Sequence, residues 1–345
     1  MSLNSKFIST DLKLGFDDVK IVPVKSTFES RRYINLETKY IFPRSKITWE
    51  GIPIIAANMD NVATFDMARA LQNYRISTAM TKFHTPNQWI QAILSGVSLD
   101  YSFMTFGIDT ISSIETCFDN IHNETGSIPK IVVFDVPNGY IKTFHDVVSE
   151  FRKRYPETGV LAGNIVTPEG VQILADCGVD GVKIGIGSGS ACSTSKVTGV
   201  GYPQLSAVLE CAETAKQLNI LTISDGGAKT SGDISKAYIA GANFVMLGGM
   251  LAGHEEGNSE TVFEDDKIYR KFYGMSSSEA MVKHYNEIAP YRASEGISTL
   301  IPDKGNVSDT IDEILGGIRS TCTYINSGHL TEMADKGKFV LVKSD

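Results

Sequence analysis

The sequence predicts an α/β fold, a (β/α)8 TIM barrel with a flap inserted after strand 8, on three observations. Eight short apolar runs with few charges recur along the chain, each followed by a longer, polar, periodic stretch, the pattern of buried parallel strands joined by crossover helices. The glycine-, asparagine-, aspartate- and cysteine-bearing segments fall directly after those runs, where barrels of this kind carry their functional groups. The 345 residues are 42% hydrophobic, enough for one large core, and contain no internal repeat, low-complexity tract or interdomain linker. Residues 1–345 are therefore read as one catalytic domain; a doubly wound open sheet is the competing architecture, disfavoured by the count of eight.

The runs are Ile52 to Ala57, Ser77 to Met80, Phe103 to Gly107, Ile131 to Asp135, Gly159 to Gly163, Gly181 to Ile184, Leu221 to Ser224 and Phe244 to Leu247. Between them, Tyr202 to Leu218 reads as a helix, with Pro203 in its first turn and Leu205, Val208, Leu209 and Ala212 on one face. Asp233 to Ala240 reads as another, opened by Gly232, and Phe83 to Ser102 has room for only one. After strand 8 a long excursion, about 252–308, precedes a strongly helical segment, Asp309 to Cys322; an excursion of that length is expected to be a lid over the site.

A formal net charge of -8 gives no field for holding a polyanion, so nucleic acid is excluded as a partner, although backbone N–H groups can still hold one small phosphate. The five cysteines, Cys117, Cys177, Cys192, Cys211 and Cys322, are odd in number and widely spaced, which fits reduced thiols in a cytosol. MSLNSKFISTDLKLGFDD lacks a signal-like apolar core, and no apolar run reaches the roughly 18 residues of a membrane span. The expectation is a cytoplasmic protein with no membrane partner.

Three segments carry the chemistry. Gly185 to Thr194 is a glycine- and serine-rich loop leaving strand 6 with a thiol near its end; backbone dipoles turned toward a thiol favour its reactive form, which makes Cys192 the candidate nucleophile. Cys117, Cys177 and Cys211 have no such loop and read as inert core residues. Asp225-Gly226-Gly227 and Gly248-Gly249, after strands 7 and 8, lie where barrels build a phosphate cup from backbone N–H groups, with Asp225 better suited to accept from ribose hydroxyls. Gly274-Met275-Ser276-Ser277 and Tyr291-Arg292-Ala293-Ser294-Glu295-Gly296 fall in the lid.

CSTSKVTGVGYPQLSAV from Cys192 to Val208, with ISDGG, FVMLGGMLAGH, FYGMSS, YRASEG and ILGGIRSTCTY, closely resembles the GMP reductase family, a relative of IMP dehydrogenase. The likeness runs from LKLGFDDV through GIPIIAANMD to the last helix. The resemblance implies a reductive deamination of GMP to IMP: Cys192 attacks C2 of the purine, ammonia leaves, and NADPH delivers hydride to the thioimidate. It assigns proton handling to Thr194 and Glu295, and contacts with GMP to Asp225, Gly226, Gly227, Gly248, Gly249, Gly274, Met275, Ser276, Arg292, Ser294 and Gly296. It places Met275, Arg292, Lys82, Asp135, Val136, Pro137 and Ser188 at the cofactor, with Ser30, Arg31, Ser320, Thr321, Cys322 and Thr323 supplied by a neighbouring subunit of a homotetramer. Gly187, Gly189 and Cys192 match carbonyl ligands of a monovalent cation, usually K+.

Many relatives have GPGSVCTTR where this chain has GSGSACSTS, so Ser188 replaces a stiffening proline and Ser195 an arginine beside the cation site. Val136-Pro137 stands in place of the usual Val-Ala, and Thr81 in place of a histidine. The alternatives are an IMP dehydrogenase, which would need an Arg-Tyr pair in an extended flap and usually an inserted regulatory domain pair, and a non-catalytic purine-nucleotide-binding barrel, which would have no use for the thiol, Thr194 or Glu295.

Overall fold

In the computed structural model, which describes residues 9–286 and 293–342, the apolar runs become β1 (Ile54–Ala56), β2 (Ser77–Ala79), β3 (Ser102–Phe106), β4 (Ile131–Asp135), β5 (Gly159–Ile165), β6 (Gly181–Ile184), β7 (Leu221–Asp225) and β8 (Phe244–Leu247). Each pairs in parallel with the next, and β8 pairs with β1 through Val245–Ile54, Met246–Ile55 and Leu247–Ala56, closing the barrel. A closed sheet has no edge, so every strand is buried on both faces and its sequence is apolar without alternation.

The helices that return the chain are α1 (Phe65–Gln72), α2 (Pro86–Leu94), α3 (Ile111–Thr125), α4 (Lys142–Arg154), α5 (Pro168–Asp176), α6 (Thr194–Thr198), α7 (Gln204–Gln217) and α8 (Ser231–Ile239). Thr64, Thr85, Thr110, Thr167 and Thr230 cap α1, α2, α3, α5 and α8, each accepting a hydrogen bond from an N–H of the first turn. Asp233 returns a bond to Thr230, so α8 starts at Ser231 rather than after Gly232.

Two apolar layers result. One lies between strands and helices and includes Phe134, Phe144, Phe151 and Trp89. The other fills the barrel with Ile55, Phe103, Val133, Leu161, Ile223 and Phe244. An antiparallel hairpin, Thr38–Ile41 with Thr48–Gly51, plugs the bottom: Trp49 and Tyr40 pack on Phe244 at 4.9 and 5.1 Å between ring centroids, and the Trp49 indole donates to Ser77. The top is thereby left for ligands.

After β8 the chain forms β9 (Thr261–Glu264), β10 (Lys267–Tyr273), α9 (Ser278–Tyr285) and β11 (Ser298–Pro302), the strands making an antiparallel sheet in that order, before α10 (Val307–Tyr324). β9 and β10 meet at a two-residue turn, Asp265-Asp266, with φ of +48° and +58°, the geometry that matches hairpin twist. Asn306 caps α10 two residues earlier than the periodicity places its start. Among the described residues no helix is long and apolar enough to cross a membrane.

Candidate active site

At the carboxyl ends of the strands lies a cavity of about 300 Å³, walled by the loops after β1, β2 and β4 to β8 and closed on one side by the excursion after β8. The Cys192 loop is strapped to that excursion by backbone hydrogen bonds. Ser193 N–H donates to the Glu295 carbonyl at 2.9 Å, Ile297 N–H to Ala191 at 3.1 Å, Gly274 N–H to Ile297 at 3.1 Å and Glu295 N–H to Ser276 at 3.1 Å. These three strands of chain pass so closely that a Cβ on Gly274 would stand 2.6 Å from the Ala191 carbonyl oxygen, which explains the glycine.

The strapping assembles a hydrogen-bonded line. The Cys192 thiol donates to Thr194 Oγ1 at 3.3 Å, and the Thr194 hydroxyl donates to Glu295 Oε2 at 2.8 Å. A thiol, a hydroxyl and a carboxylate, the last two from positions 101 residues apart, thus share one hydrogen-bonded line facing the cavity, an arrangement able to carry a proton. The other thiols face apolar surroundings: burial pushes Cys117 up to about 11 and Cys211 and Cys322 up to about 12, and raises Cys177.

Asp225, Gly226, Gly227, Gly248, Gly249, Gly274, Met275, Ser276 and Gly296 line the same cavity. Gly226 has φ +100°, and a Cβ there would lie 2.6 Å from Ser188 Oγ, so the turn after β7 both needs the left-handed conformation and presses on the cysteine loop. Met275 Sδ accepts from the Asp60 N–H at 3.3 Å. Ser294 stands outside the lining, its hydroxyl accepting from Ser278 N–H at 3.0 Å and donating to the Gly296 carbonyl at 3.2 Å. Arg292 lies outside the described residues.

Lys82, Asp135, Val136 and Pro137 form the adjoining wall. Ser188 turns away, donating to Gln204 Oε1 at 2.8 Å. Ser30 and Arg31 sit in a surface turn packed on α10, and Ser320, Thr321, Cys322 and Thr323 lie on the same helix; none of them lines the Cys192 cavity. Cys322 points inward against Met333 Sδ at 3.8 Å. Gly187 and Gly189 line the cavity beside Cys192, whose N–H donates to the Gly189 carbonyl at 3.0 Å.

Sequence reasoning missed Lys183. It is 1% exposed on β6 and bridges Asp135, at the end of β4, and Asp225, at the end of β7, the latter at 3.2 Å. Asn164 on β5 donates to Asp225 at 2.8 Å and to the Gly185 carbonyl at 2.7 Å. Burial alone would raise the Asp135 carboxyl, but Lys183, a hydrogen bond from Asn58 and the Lys82 charge hold it below the usual range; burial would lower Lys183, but its two carboxylates hold it above. The available signal was a lone lysine inside an otherwise apolar strand.

A second group secures the lid. Asp60, 3% exposed after β1, accepts from Tyr273 at 2.8 Å, His284 at 2.6 Å and Lys283 at 3.0 Å, while His284 stacks on Phe83 at 3.5 Å between ring centroids.

The profile of the IMP dehydrogenase / GMP reductase domain matches residues 108–345. Over 341 residues the chain is 45% identical to the GMP reductase of Phytophthora infestans, covering 97% of this chain and 92% of that protein. It is 46% identical over 338 residues to GMP reductase 2 of Homo sapiens, covering 97% and 96%, and 44% identical over 339 residues to the GMP reductase of Caenorhabditis elegans, covering 97% and 93%. With the thiol, hydroxyl and carboxylate aligned at the top of a closed barrel and likeness of this extent, the chain belongs to the IMP dehydrogenase / GMP reductase family.

Proposed function

We propose that this protein is a GMP reductase, converting GMP, NADPH and a proton to IMP, ammonia and NADP+, and that the Cys192–Thr194–Glu295 line carries the reaction. The thiol proton passes through the Thr194 hydroxyl to Glu295 as Cys192 Sγ bonds to C2 of the guanine. The same route returns a proton to the amino group, the C2–N bond breaks and ammonia departs, leaving the purine on sulfur as a thioimidate. NADPH, when bound, would supply the hydride that C2 accepts; the C–S bond then breaks, releasing IMP and a Cys192 thiolate that takes up one proton from solvent to become the thiol again.

The chain's own residues fit both ligands. Asp225 faces the cavity as an acceptor for ribose hydroxyls, and Gly226, Gly227, Gly248 and Gly249 offer unshielded backbone to a phosphate. Gly274, Met275, Ser276 and Gly296 would close over the purine, with Ser294 bracing the turn; family likeness adds Arg292, which lies outside the described residues, to the GMP contacts. Lys82, Asp135, Val136, Pro137 and Met275 suit the nicotinamide half of NADPH because they share the cavity with Cys192; Ser188 lies next to that lining, in the same loop. Family likeness offers the carbonyls of Gly187, Gly189 and Cys192 to K+, a hard cation that takes oxygen ligands and would steady the nucleophile's loop; Gly187 is closely packed there, a Cβ meeting the Val200 carbonyl oxygen at 3.3 Å and Ser195 Cβ at 3.2 Å. Ser30, Arg31 and Ser320 to Thr323, grouped away from the chain's own cavity, suit the far end of a neighbour's cofactor in a cytoplasmic homotetramer.

The test is loss of NADPH absorbance with purified protein and GMP, with and without K+, beside IMP plus NAD. GMP-dependent oxidation of NADPH is expected; turnover of IMP with NAD alone would assign an IMP dehydrogenase, and binding of GMP with no turnover a nucleotide-binding barrel.

A further inference from the structure

Four neighbouring strands deliver one charged group each, or its partner, to a single cluster at the cavity wall: Asp135 from β4, Asn164 from β5, the buried Lys183 from β6 and Asp225 from β7. Lys183 contacts both carboxylates and is 1% exposed, so if either carboxylate loses its charge the ammonium turns more fully to the other. The proposed chemistry uses neither the ammonium nor its bridge. Asp225 is held on its other flank by Asn164, which is itself fixed to the Gly185 carbonyl, so Asp225 has few ways to adjust except through Lys183.

We propose that Lys183 is a positioning residue that couples the nucleotide and cofactor sites, dividing one ammonium between Asp225, aimed at the ribose of the nucleotide, and Asp135, aimed at the cofactor. The inference rests on the assignment of Asp225 and Asp135 under the proposed function. When Asp135 loses its charge, the buried ammonium must find its full partner in Asp225 and occupies the lone pairs that would accept from ribose hydroxyls. Nucleotide affinity therefore depends on a carboxylate across the cavity, and the exchange runs both ways.

Calorimetric titration with GMP in the absence of NADPH tests this on the full-length protein. Asp135→Asn is expected to weaken GMP binding at least fivefold, and the same substitution in a Lys183→Met background to change it less than twofold; Lys183→Gln serves if the methionine variant does not fold. A smaller effect of Asp135→Asn, or one that persists without Lys183, overturns the coupling. Failure of the unaltered protein to bind GMP would instead overturn the functional assignment on which it rests.

Discussion

Cys192 differs from the other four cysteines in what surrounds it rather than in what it is. Cys117, Cys177, Cys211 and Cys322 are raised by burial, whereas Cys192 faces the cavity with a hydroxyl as its nearest partner. The loop composition made that thiol legible in the sequence. Its link to Glu295, through the Thr194 hydroxyl 101 residues before that carboxylate, is a tertiary fact, known beforehand only through family likeness. Lys183 was illegible for the opposite reason: no local pattern tells a lysine buried between two distant carboxylates from a strand-end lysine reaching solvent. If the thiol, hydroxyl and carboxylate act as one proton route, Thr194→Val and Glu295→Gln should each lower kcat by about 10²- to 10⁴-fold with little change in the KM for GMP, and Cys192→Ala should abolish turnover while GMP still binds. Steady-state kinetics with a binding isotherm on each variant checks this.

The eight barrel strands were readable because burial on both faces leaves uninterrupted apolar runs. The lid's sheet was not: Lys267–Tyr273 reads KIYRKFY, a charged strand exposed at its start and buried at its end, and its partner Ser298–Pro302 lies 25 residues beyond its end. The lid is joined to the barrel top through Asp60, whose carboxylate burial would raise but Lys283, His284 and Tyr273 hold below its ordinary value. Asp60→Ala leaves those donors without their acceptor, so amide exchange across Lys267–Tyr285 should rise by at least tenfold while exchange in β3 and β4 is unchanged. His254, fully buried at the base of the lid, is lowered by burial despite its hydrogen-bonding contact with the Gly305 carbonyl at 3.2 Å. Its value in the fold is below the 6.5 of the unfolded chain, so the stability it contributes is present above 6.5 and lost as pH falls through that value. The thermal midpoint should therefore drop between pH 7.5 and pH 5.5, and drop less in His254→Gln, a comparison differential scanning calorimetry makes directly.

At the scale of the molecule, one end of the barrel is sealed and the other carries the site. The seal depends on Asp180, fully buried, which accepts from Arg152 at 2.6 Å, from the Arg44 and Ser45 N–H groups at 2.7 and 2.9 Å, and from Val160 N–H at 2.9 Å, tying the bottom hairpin to β5 and β6. The hairpin was not read from sequence because TKYI and TWEG are too short and polar to signal a strand without Phe244 behind them. Asp180→Ala leaves the Arg44, Ser45 and Val160 N–H groups without their acceptor and Arg152 with only carbonyl partners, so it should cost about 3–5 kcal/mol in urea unfolding with the KM for GMP unaltered in the fraction that remains folded. The sealed floor and strapped lid frame the cavity that the Cys192 thiol shares with Lys82 and Asp135, the proposed place for the purine. The decisive measurement is the isotopic fate of the hydride: GMP incubated with the protein and NADPH carrying deuterium at both C4 positions. The account predicts IMP bearing one deuterium at C2 with one ammonia released per IMP; IMP without deuterium, or deuterium loss from NADPH with no IMP formed, would contradict it.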